Sequence, residues 1–438
     1  MKVVKFGGSS LADAASFANA RDIVLAEKDR QVVVVSAPGK RFSGDNKVTD
    51  LLYIIHAHLK YKVSFDDIWE NIASRYREIA RGLGLKLDVE ALLAEVRAGF
   101  VPGATAEEIV SRGEYINARL MADCLGADFV DATQWLFFDF NGRVNAGKTY
   151  AALRELGREH PRMVLPGFYG ALPDGRIHTF SRGGSDVTGA LAAAALSAEC
   201  YENWTDVSGI LMADPKIVAN PRPIERITFS ELREMSYMGA EVLHEETVFP
   251  VRQADIPLYI KNTKDPSAPG TLIREEFGED SVEEKNRFIT GITGKQNYTI
   301  ITISKARMRE DIGFVRRVLE ITEHYRLPVE HLPSSIDSFC LVIATRNLEG
   351  CLHELLTEID ERCEPDRITV CDGVSLVAVV GRRMARSTGV SGRIFETLGR
   401  CGINIRMIEQ GSDEINIIIG VMNEDFTQTI RTLYESFT

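Results

Sequence analysis

Two glycine-rich turns carry the residues best suited to chemistry, and each comes between a predicted strand and a predicted helix. The first is KFGGSS, in which Lys5 is followed by Gly7, Gly8 and Ser9. Glycines let backbone N–H groups approach an anion closely, and a helix N-terminus adds the positive end of its dipole. Lys5 adds a full positive charge beside them. Taken alone, this motif is explained at least as well by an ordinary turn between strand and helix.

The second turn is SRGGSD, at residues 181–186, and it repeats the arrangement of the first. Arg182 can hold a carboxylate through two parallel hydrogen bonds. Asp186 lies in the first helical turn, where a carboxylate can also serve only to favour the helix dipole. One such turn is weak evidence, but two of them predict a phosphoryl-transfer site built between opposed anion-binding turns. The chain contains neither a P-loop motif nor the spaced glycines of a dinucleotide-binding fold.

Two further candidates lie between these turns. Glu114 follows a glycine near a predicted helix start in SRGEYINARL. It could pair with a substrate ammonium group, or it could simply compensate the helix dipole. Thr49 and Asp50, in KVTDLL, are likewise either a helix-capping pair or a pair that contacts the substrate.

Length and composition limit the classes of protein to consider. The chain has 438 residues, so two or three domains are expected, and its formal net charge is −12. An acidic surface argues against nucleic acid or an anionic membrane as a partner, although a local site can still be positive. Seven cysteines without a CxxC pair indicate neither a disulfide framework nor a zinc site, and fit reduced thiols in the cytoplasm. The amino-terminal MKVVKFGGSS is not expected to be a signal peptide, and the apolar stretch at 190–198 is too short to span a bilayer.

Strand-like and helix-like segments alternate through the first part of the chain. The strand candidates are KVVKF, QVVVVSA, ADFVDA, RMVLPGF, YENWTD and PLYIKN. The helix candidates cover residues 47–61, 65–82, 87–98, 107–125, 185–198 and 230–243. Short β-branched runs of this kind are typical of buried parallel strands. The alternation predicts an α/β fold, a three-layer sandwich with helices on both faces of a sheet, over residues 1–275.

A charged segment at 276–287 is interpreted as a solvated linker, and the pattern changes after it. Two copies of a β-α-β-β-α-β unit, the ferredoxin-like arrangement, follow. The second copy lacks its last strand, which would leave an unfavourable open edge. The spare strand FITGIT, at 288–293, could fill that place. We therefore predict that 288–293 plus 371–438 form the second unit, and that the first unit, 294–370, is inserted within it.

The motifs taken together closely resemble the aspartate kinases of the amino-acid kinase family. The matching segments, in the family's order, are VVKFGGSS, VVVVSAPG with KVTDLL, VSRGEYINARL, FSRGGSDVTGALAAAAL, WTDVSGILMADPKIV, YMGAEVLH and IKNTKDPSAPGTLI. The resemblance covers the chain from end to end, and the two C-terminal units look like ACT domains. It implies a kinase domain followed by two ACT domains, in a monofunctional member because no homoserine dehydrogenase part follows.

The resemblance implies roles for the matching residues around the substrate. Lys5 would stabilise charge on the transferred phosphoryl group, and Asp186 would help position Lys5. The phosphoryl group would be cradled by the backbone N–H groups of Gly7, Gly8 and Ser9. The residues that would contact L-aspartate are Thr49, Glu114, Arg182, Gly184 and Ser185. Within this set, Glu114 would bind the amino group and Arg182 the α-carboxylate.

The same resemblance assigns a second set of residues to ATP. They are Thr205, Asp206, Leu211, Asp214, Lys216, Glu241 and Val242. Three of them depart from the usual residues of the family, since Leu211 replaces a frequent Tyr, Lys216 a common Arg and Glu241 a common Lys. These departures bear on the details of nucleotide contact and not on the reaction. Magnesium is expected to be held mainly by ATP, without a protein metal site.

ACT pairs in this family bind amino acids, so the resemblance also implies an effector site. Its residues would be Met308, Gly313, Phe314, Ser334, Ser335 and Asp337. Lysine is our choice of effector, with threonine as the alternative, and inhibition requires the effector to favour an inactive conformation. The other interpretation is that these units serve only dimerisation. We expect a homodimer through the ACT domains, with a tetramer as the alternative.

The predicted function is phosphorylation of the β-carboxylate of L-aspartate by ATP, with feedback inhibition by lysine. In the family this is the first step towards lysine, threonine and methionine. One alternative is another amino-acid kinase, acting on glutamate, acetylglutamate or a nucleotide. The other is a binding protein that senses amino acids without catalysis, which the presence of Lys5, Arg182 and Asp186 argues against.

Overall fold

The computed structural model of this chain describes residues 1–181, 183–240, 243, 245–278 and 288–438. The chain forms two compact units. The first contains residues 1–210, 223–229 and 242–277, and the second contains 211–222, 230–241 and 278–438. None of the helices in the described ranges is long and apolar enough to cross a membrane.

The described part of the first unit is built on an eight-stranded sheet. Its strands are β1 (Lys2–Phe6), β2 (Arg30–Val35), β3 (Asp128–Phe129), β4 (Met163–Pro166), β7 (Cys200–Thr205), β8 (Arg226–Thr228), β9 (Leu258–Asn262) and β10 (Thr271–Arg274). A separate hairpin joins β5 (Tyr169–Ala171) to β6 (Ile177–Thr179). The strand order is β3-β4-β2-β1-β7-β9-β10-β8, and every neighbouring pair except β9–β10 is parallel.

Helices cover both faces of this sheet. They are α1 (Ala14–Ala26), α2 (Val48–Tyr61), α3 (Asp66–Leu83), α4 (Val89–Ala98), α5 (Ala106–Val110), α6 (Arg112–Leu125), α7 (Ala146–Glu159), α8 (Gly184–Ala195) and α10 (Glu245–Gln253). The remaining helix of this part of the chain, α9 (Phe229–Tyr237), belongs mostly to the second unit. α1, α3 and α6 share a hydrophobic core with alternate residues of β1 and β2, whereas α8 packs on the opposite residues. The predicted three-layer α/β class is therefore confirmed.

The predicted helix at 107–125 is two helices in the structure, divided at Ser111. The Ser111 hydroxyl donates to the carbonyl of Glu108 at 3.0 Å. Such a local side-chain bond competes with regular helix geometry, which accounts for the break. As a result α6 begins next to Gly113 and Glu114, the candidate substrate residue.

The described part of the second unit contains a five-stranded antiparallel sheet, ordered β12-β11-β13-β15-β14. Its strands are β11 (Gly291–Ser304), β12 (Ser338–Ala344), β13 (Arg367–Val380), β14 (Met407–Glu409) and β15 (Asn416–Met422). Its helices are α11 (Phe314–His324), α12 (Thr345–Leu348), α13 (Leu352–Cys363), α14 (Val390–Arg400) and α15 (Phe426–Phe437). The two predicted ferredoxin-like units are present, and they share the long strands β11 and β13.

Each ferredoxin-like unit has its own hydrophobic core. One core packs α11 and α13 against the carboxyl half of β11 and against β12. The other packs α14 and α15 against the carboxyl half of β13 and against β15, and it includes Ile289 and Ile292. Ile292 is paired with Val379 of β13. This pairing supports our proposal that 288–293 belongs to the second unit and that the first is inserted within it.

One strand expectation for this unit is wrong. Two full strands were predicted between α11 and α13, but only β12 forms, and the segment before it makes isolated bridges at His331 and Ser334. Pro333 lies between these bridges and has no N–H to donate to a ladder.

Residues 211–222 and most of α9 pack with the second unit, although they are distant from it in sequence. Glu231 of α9 is fully buried and accepts hydrogen bonds from the Thr290 hydroxyl at 2.6 Å and the Arg382 N–H at 2.8 Å. Its second oxygen lies 3.1 Å from the Arg382 guanidinium. A buried carboxylate requires such a partner, so this ion pair holds α9 firmly to the sheet.

Candidate active site

Lys5 is a buried cation at the carboxyl end of β1, with 7% of its surface exposed. Its Nζ lies 2.5 Å from Oδ1 of Asp186, at the start of α8. Burial of a lysine is costly unless the charge is paired, and Asp186 supplies that charge. The pair joins the first glycine-rich turn to the second.

The first turn forms a short 3-10 helix at Gly8–Leu11. The N–H of Gly7 donates to the Trp204 carbonyl at 3.0 Å, so it is already engaged in the sheet. The N–H groups of Gly8 and Ser9 lie at the helix start. An anion cradle that includes Gly7 stays a prediction. A Cβ on Gly8 would lie 2.7 Å from the Ala37 carbonyl, so only glycine fits there.

Residues 36–39, which we call the β2 loop, hold three candidate elements together. The N–H of Gly39 donates to the Gly8 carbonyl at 2.8 Å, and the N–H of Val48 donates to the Pro38 carbonyl at 3.2 Å. Asn117 of α6 donates to the Ser36 carbonyl at 2.6 Å. The β2 loop therefore fixes the first glycine-rich turn (Lys5–Ser10), which we call the phosphate turn after its proposed role. It also fixes the start of α2 with Thr49, and α6 with Glu114. Thr49 itself is half-buried and Asp50 is exposed.

Glu114 is the most unusual titratable group of this region. Its side chain is buried, and Oε2 has no hydrogen-bond partner among the described residues. Burial raises the pKa of this carboxyl to about 8, and the opposing effects of the Ala37 and Glu114 N–H groups and of Arg112 do not cancel it. A substrate ammonium group would supply both the missing partner and the missing charge.

The second turn is set by close packing under α8. Gly183 has a φ of 56°, a left-handed conformation that glycine adopts without strain. A Cβ on Gly184 would lie 2.7 Å from the Phe168 ring, and a Cβ on Gly167 would lie 2.5 Å from the Ser185 hydroxyl. Ser185 is thus held at the turn after β4. Arg182, the predicted carboxylate ligand, lies outside the described residues.

The predicted nucleotide residues fall in several places. Thr205 is the last residue of β7 and Asp206 follows it. The Thr205 carbonyl accepts hydrogen bonds from the N–H and hydroxyl of Thr263 at 2.8 and 3.0 Å. Three others, Leu211, Asp214 and Lys216, belong to the second compact unit. There the Lys216 N–H donates to the Asp214 carboxylate at 2.8 Å. Glu241 and Val242 lie outside the described residues.

The predicted effector residues lie on two adjoining segments of the second unit. Asp337 Oδ1 accepts the Arg307 N–H at 3.0 Å, and the Asp337 carbonyl accepts the Lys305 N–H at 2.8 Å. Gly313, with a φ of 88°, caps α11, while Met308 and Phe314 are buried in the core below. Ser334 and Ser335 are exposed on the segment that leads to Asp337.

Two residues of the site region were missed by sequence reasoning. Arg75 of α3 is 2% exposed and donates to the carbonyls of Gly39 at 2.5 Å and Asn46 at 2.8 Å, so it clamps the β2 loop. An arginine in an amphipathic helix gives no sign that it is buried. Asn203 of β7 contacts both Lys5 and Asp186. The only sequence signal is its position in the predicted strand YENWTD. In the structure this strand pairs with β1, and Asn203 lies directly opposite Lys5.

Comparison with known proteins agrees with this fold. The chain matches the amino acid kinase family model over residues 1–262 and an ACT domain model over residues 377–437. It is 35% identical to aspartokinase 3 of Bacillus subtilis, over 100% of this chain and 98% of that protein. The chain therefore belongs to the amino acid kinase family and, within it, to the aspartokinases.

Solved structures extend the likeness to three dimensions. The aspartate kinase of Clostridium acetobutylicum has a TM-score of 0.91 and 44% identity, covering 100% of this chain and 99% of that one. Escherichia coli aspartokinase III has a TM-score of 0.74 with the same coverage, at 28% identity in its complex with aspartate and ADP and 29% in its complex with lysine and aspartate. The resemblance to aspartate kinases predicted from the motifs is confirmed.

Proposed function

We propose that this chain transfers the γ-phosphoryl group of ATP to the β-carboxylate of L-aspartate. The observation that carries the proposal is the buried Lys5–Asp186 pair, which links the two glycine-rich turns through a single ion pair of 2.5 Å. The likeness to Escherichia coli aspartokinase III, solved with aspartate and ADP, supports the choice of substrates.

The chemistry requires little beyond alignment and neutralisation of charge. A carboxylate is already a nucleophile, so no general base is needed. Lys5 would neutralise charge that develops on the transferred group, aided by the N–H groups of Gly8 and Ser9. Magnesium, held mainly by the nucleotide, would supply further neutralisation.

The substrate would be oriented by groups that surround the β2 loop and the start of α8. Glu114 would bind the ammonium group, because Oε2 of its buried carboxylate has no hydrogen-bond partner among the described residues. Thr49 would contact the reacting carboxylate, Ser185 would help hold the substrate beside Gly184, and Arg182 would bind the α-carboxylate. ATP would be bound by Thr205 and Asp206, and the assignment of the other nucleotide residues rests on the family resemblance alone. The expected location is the cytoplasm.

Lysine is the proposed inhibitor, bound in the second unit at the segments around Gly313 and Asp337. The structure of Escherichia coli aspartokinase III with lysine and aspartate, described as its T-state, supports this choice. The cap of α11 would bind the effector carboxylate through its N–H groups, and Asp337 would bind an ammonium group. A homodimer through the ACT domains remains part of the proposal.

The direct test is formation of an acyl phosphate. The purified chain is incubated with ATP, magnesium and L-aspartate, and the product is trapped with hydroxylamine as a coloured hydroxamate. Hydroxamate that requires both ATP and L-aspartate would support the proposal, and L-glutamate and acetylglutamate serve as comparison acids. Product with one of those acids but none with aspartate would overturn it.

A further inference from the structure

Asn203 stands between the two charged groups of the phosphoryl-transfer site. It is 4% exposed and is the direct strand neighbour of Lys5 in the parallel pairing of β1 and β7. Its Nδ2 donates to Asp186 Oδ1 at 2.9 Å, and its Oδ1 accepts from Lys5 Nζ at 3.4 Å. The same carboxylate oxygen of Asp186 therefore receives both the ammonium of Lys5 and the amide of Asn203.

An amide meets both demands of this position without adding charge. The carboxylate requires a donor and the ammonium requires an acceptor, and an asparagine side chain offers one of each. By donating to Asp186, the amide stabilises part of the negative charge that Lys5 would otherwise neutralise alone. Lys5 thereby keeps more of its positive field for a phosphoryl group.

A second bond from β7 fixes the same aspartate. Tyr201, two residues earlier on the same face of the strand, donates its hydroxyl to the Asp186 carbonyl at 3.2 Å. β7 thus holds both the backbone and the side chain of Asp186. This double attachment makes the position of Asp186 relative to Lys5 a property of the sheet and not of the glycine-rich turn.

We propose that Asn203 is a positioning residue, which holds Asp186 and Lys5 in the arrangement required for phosphoryl transfer. The inference rests on the proposed function, since it assumes that Lys5 acts on the transferred group. Asn203 need not touch the substrates, because it acts through Lys5 and Asp186.

The test compares Asn203→Ala and Asn203→Asp with the matched control Asn145→Asp. Asn145 undergoes the same chemical change at the N-cap of α7, where its side chain accepts the Lys148 N–H at 3.1 Å and donates to the Asp139 carboxylate at 3.0 Å. Loss of a hydrogen bond to a charged group predicts a fall in kcat of about tenfold to a hundredfold for Asn203→Ala. The KM for aspartate should stay unchanged, as expected for an interaction that matters in the transition state. The control should match the wild type in both.

A binding measurement extends the test to a readout that needs no turnover. Asn203→Asp adds a negative charge beside Lys5 and should weaken a non-hydrolysable triphosphate more than ADP. We expect the ratio of the two dissociation constants to shift by about tenfold in this nearly isosteric variant, and not in Asn145→Asp. Melting temperatures report on folding, and the Asp variant decides the matter if the Ala variant does not fold.

The outcomes separate the two proposals. Folded Asn203 variants with wild-type kcat and an unchanged nucleotide ratio would overturn the role of Asn203. A fall in melting temperature without a change in kcat or in the ratio would do the same, since it would indicate a structural role only. A wild-type chain that makes no aspartyl hydroxamate would overturn the proposed function, and the nucleotide ratio would then decide on Asn203 by itself.

Discussion

At the scale of single residues, Glu114 links burial to substrate binding. Because its pKa is raised to about 8 in the free protein, the carboxyl is mostly protonated at pH 7. An ammonium group bound beside it would favour the charged form and lower that pKa. Aspartate binding at pH 7 should therefore release about one proton. Calorimetry in buffers of different ionisation enthalpy measures this number directly.

Glu114→Gln should abolish that proton release and weaken aspartate binding. The exposed Glu159 supplies the control, since Glu159→Gln should leave both quantities as in the wild type. Proton release that persists in Glu114→Gln would assign the titration to another group and remove Glu114 from the proposed site.

Lys5 makes a second prediction at this scale. Lys5→Ala removes the buried positive charge opposite Asp186, so kcat should fall by about a hundredfold or more. Aspartate binding, measured by calorimetry, should largely persist because Lys5 is not among the groups proposed to hold the substrate. Lys28→Ala, at an exposed lysine, is the control. Unchanged turnover in Lys5→Ala would remove Lys5 from the proposed mechanism.

Motifs made these charged residues predictable, whereas the residues that support them were not predictable. Lys5, Glu114 and Asp186 lie in glycine-rich or helix-start motifs whose chemistry can be inferred from residue type. Asn203 and Arg75 act through distances that only the tertiary structure defines, since an asparagine in a strand and an arginine in a helix have many other roles.

At the scale of elements, the β2 loop is the support on which the site depends. A Cβ on Gly39 would lie 2.6 Å from the Gly8 carbonyl carbon and 2.7 Å from the Ser9 N, both backbone atoms. Gly39→Ala should therefore push the β2 loop off the phosphate turn and destabilise the protein by about 1–3 kcal/mol. The free energy of unfolding, measured by denaturant titration, and kcat report the two effects, and both should fall.

Gly44→Ala is the matched control, because a Cβ there would approach only the Phe42 ring, at 3.7 Å. It should change neither stability nor kcat. Equal behaviour of the two variants would show that the contact between the β2 loop and the phosphate turn does not matter for the site.

Helices and short parallel strands were predicted well, because period and β-branched runs report burial directly. The continuity of the long strands β11 and β13 was not predicted from the sequence. Asn297, with a φ of 68°, and Gly373, with a φ of 70°, lie inside these strands at positions that the sequence pattern favours as strand ends. In the structure they divide each strand between two cores without ending it.

At the scale of the whole molecule, the central expectation is inhibition by lysine. Asp337→Asn would remove the charge proposed to bind the effector ammonium group, so the lysine concentration for half-inhibition should rise about tenfold or more. Inhibition is expressed relative to the uninhibited rate of each variant. Asp360→Asn, at an exposed position of α13, is the control. Equal sensitivity of the two variants would move the effector site elsewhere.

Packing of residues 211–222 and α9 with the second unit could not be predicted from the sequence. The contacts that produce it, such as Glu231 with Arg382 at 3.1 Å, join residues far apart in the chain. No local pattern reports such pairs. The domain limits drawn from the motifs, with a kinase part at 1–275, therefore remain a proposal. They divide the sequence, whereas the compact units are defined by contacts between residues.

The central claim is that phosphate is transferred to the β-carboxylate of L-aspartate. The most direct measurement is to reduce the acyl phosphate with borohydride and identify the resulting amino alcohol by chromatography and mass spectrometry. Reduction at the carboxyl carbon of the phosphorylated β-carboxylate gives homoserine, which is the product we predict, and it should require ATP and Lys5. The isomer reduced at the α-carboxylate, or aspartate recovered without any amino alcohol, would contradict the account.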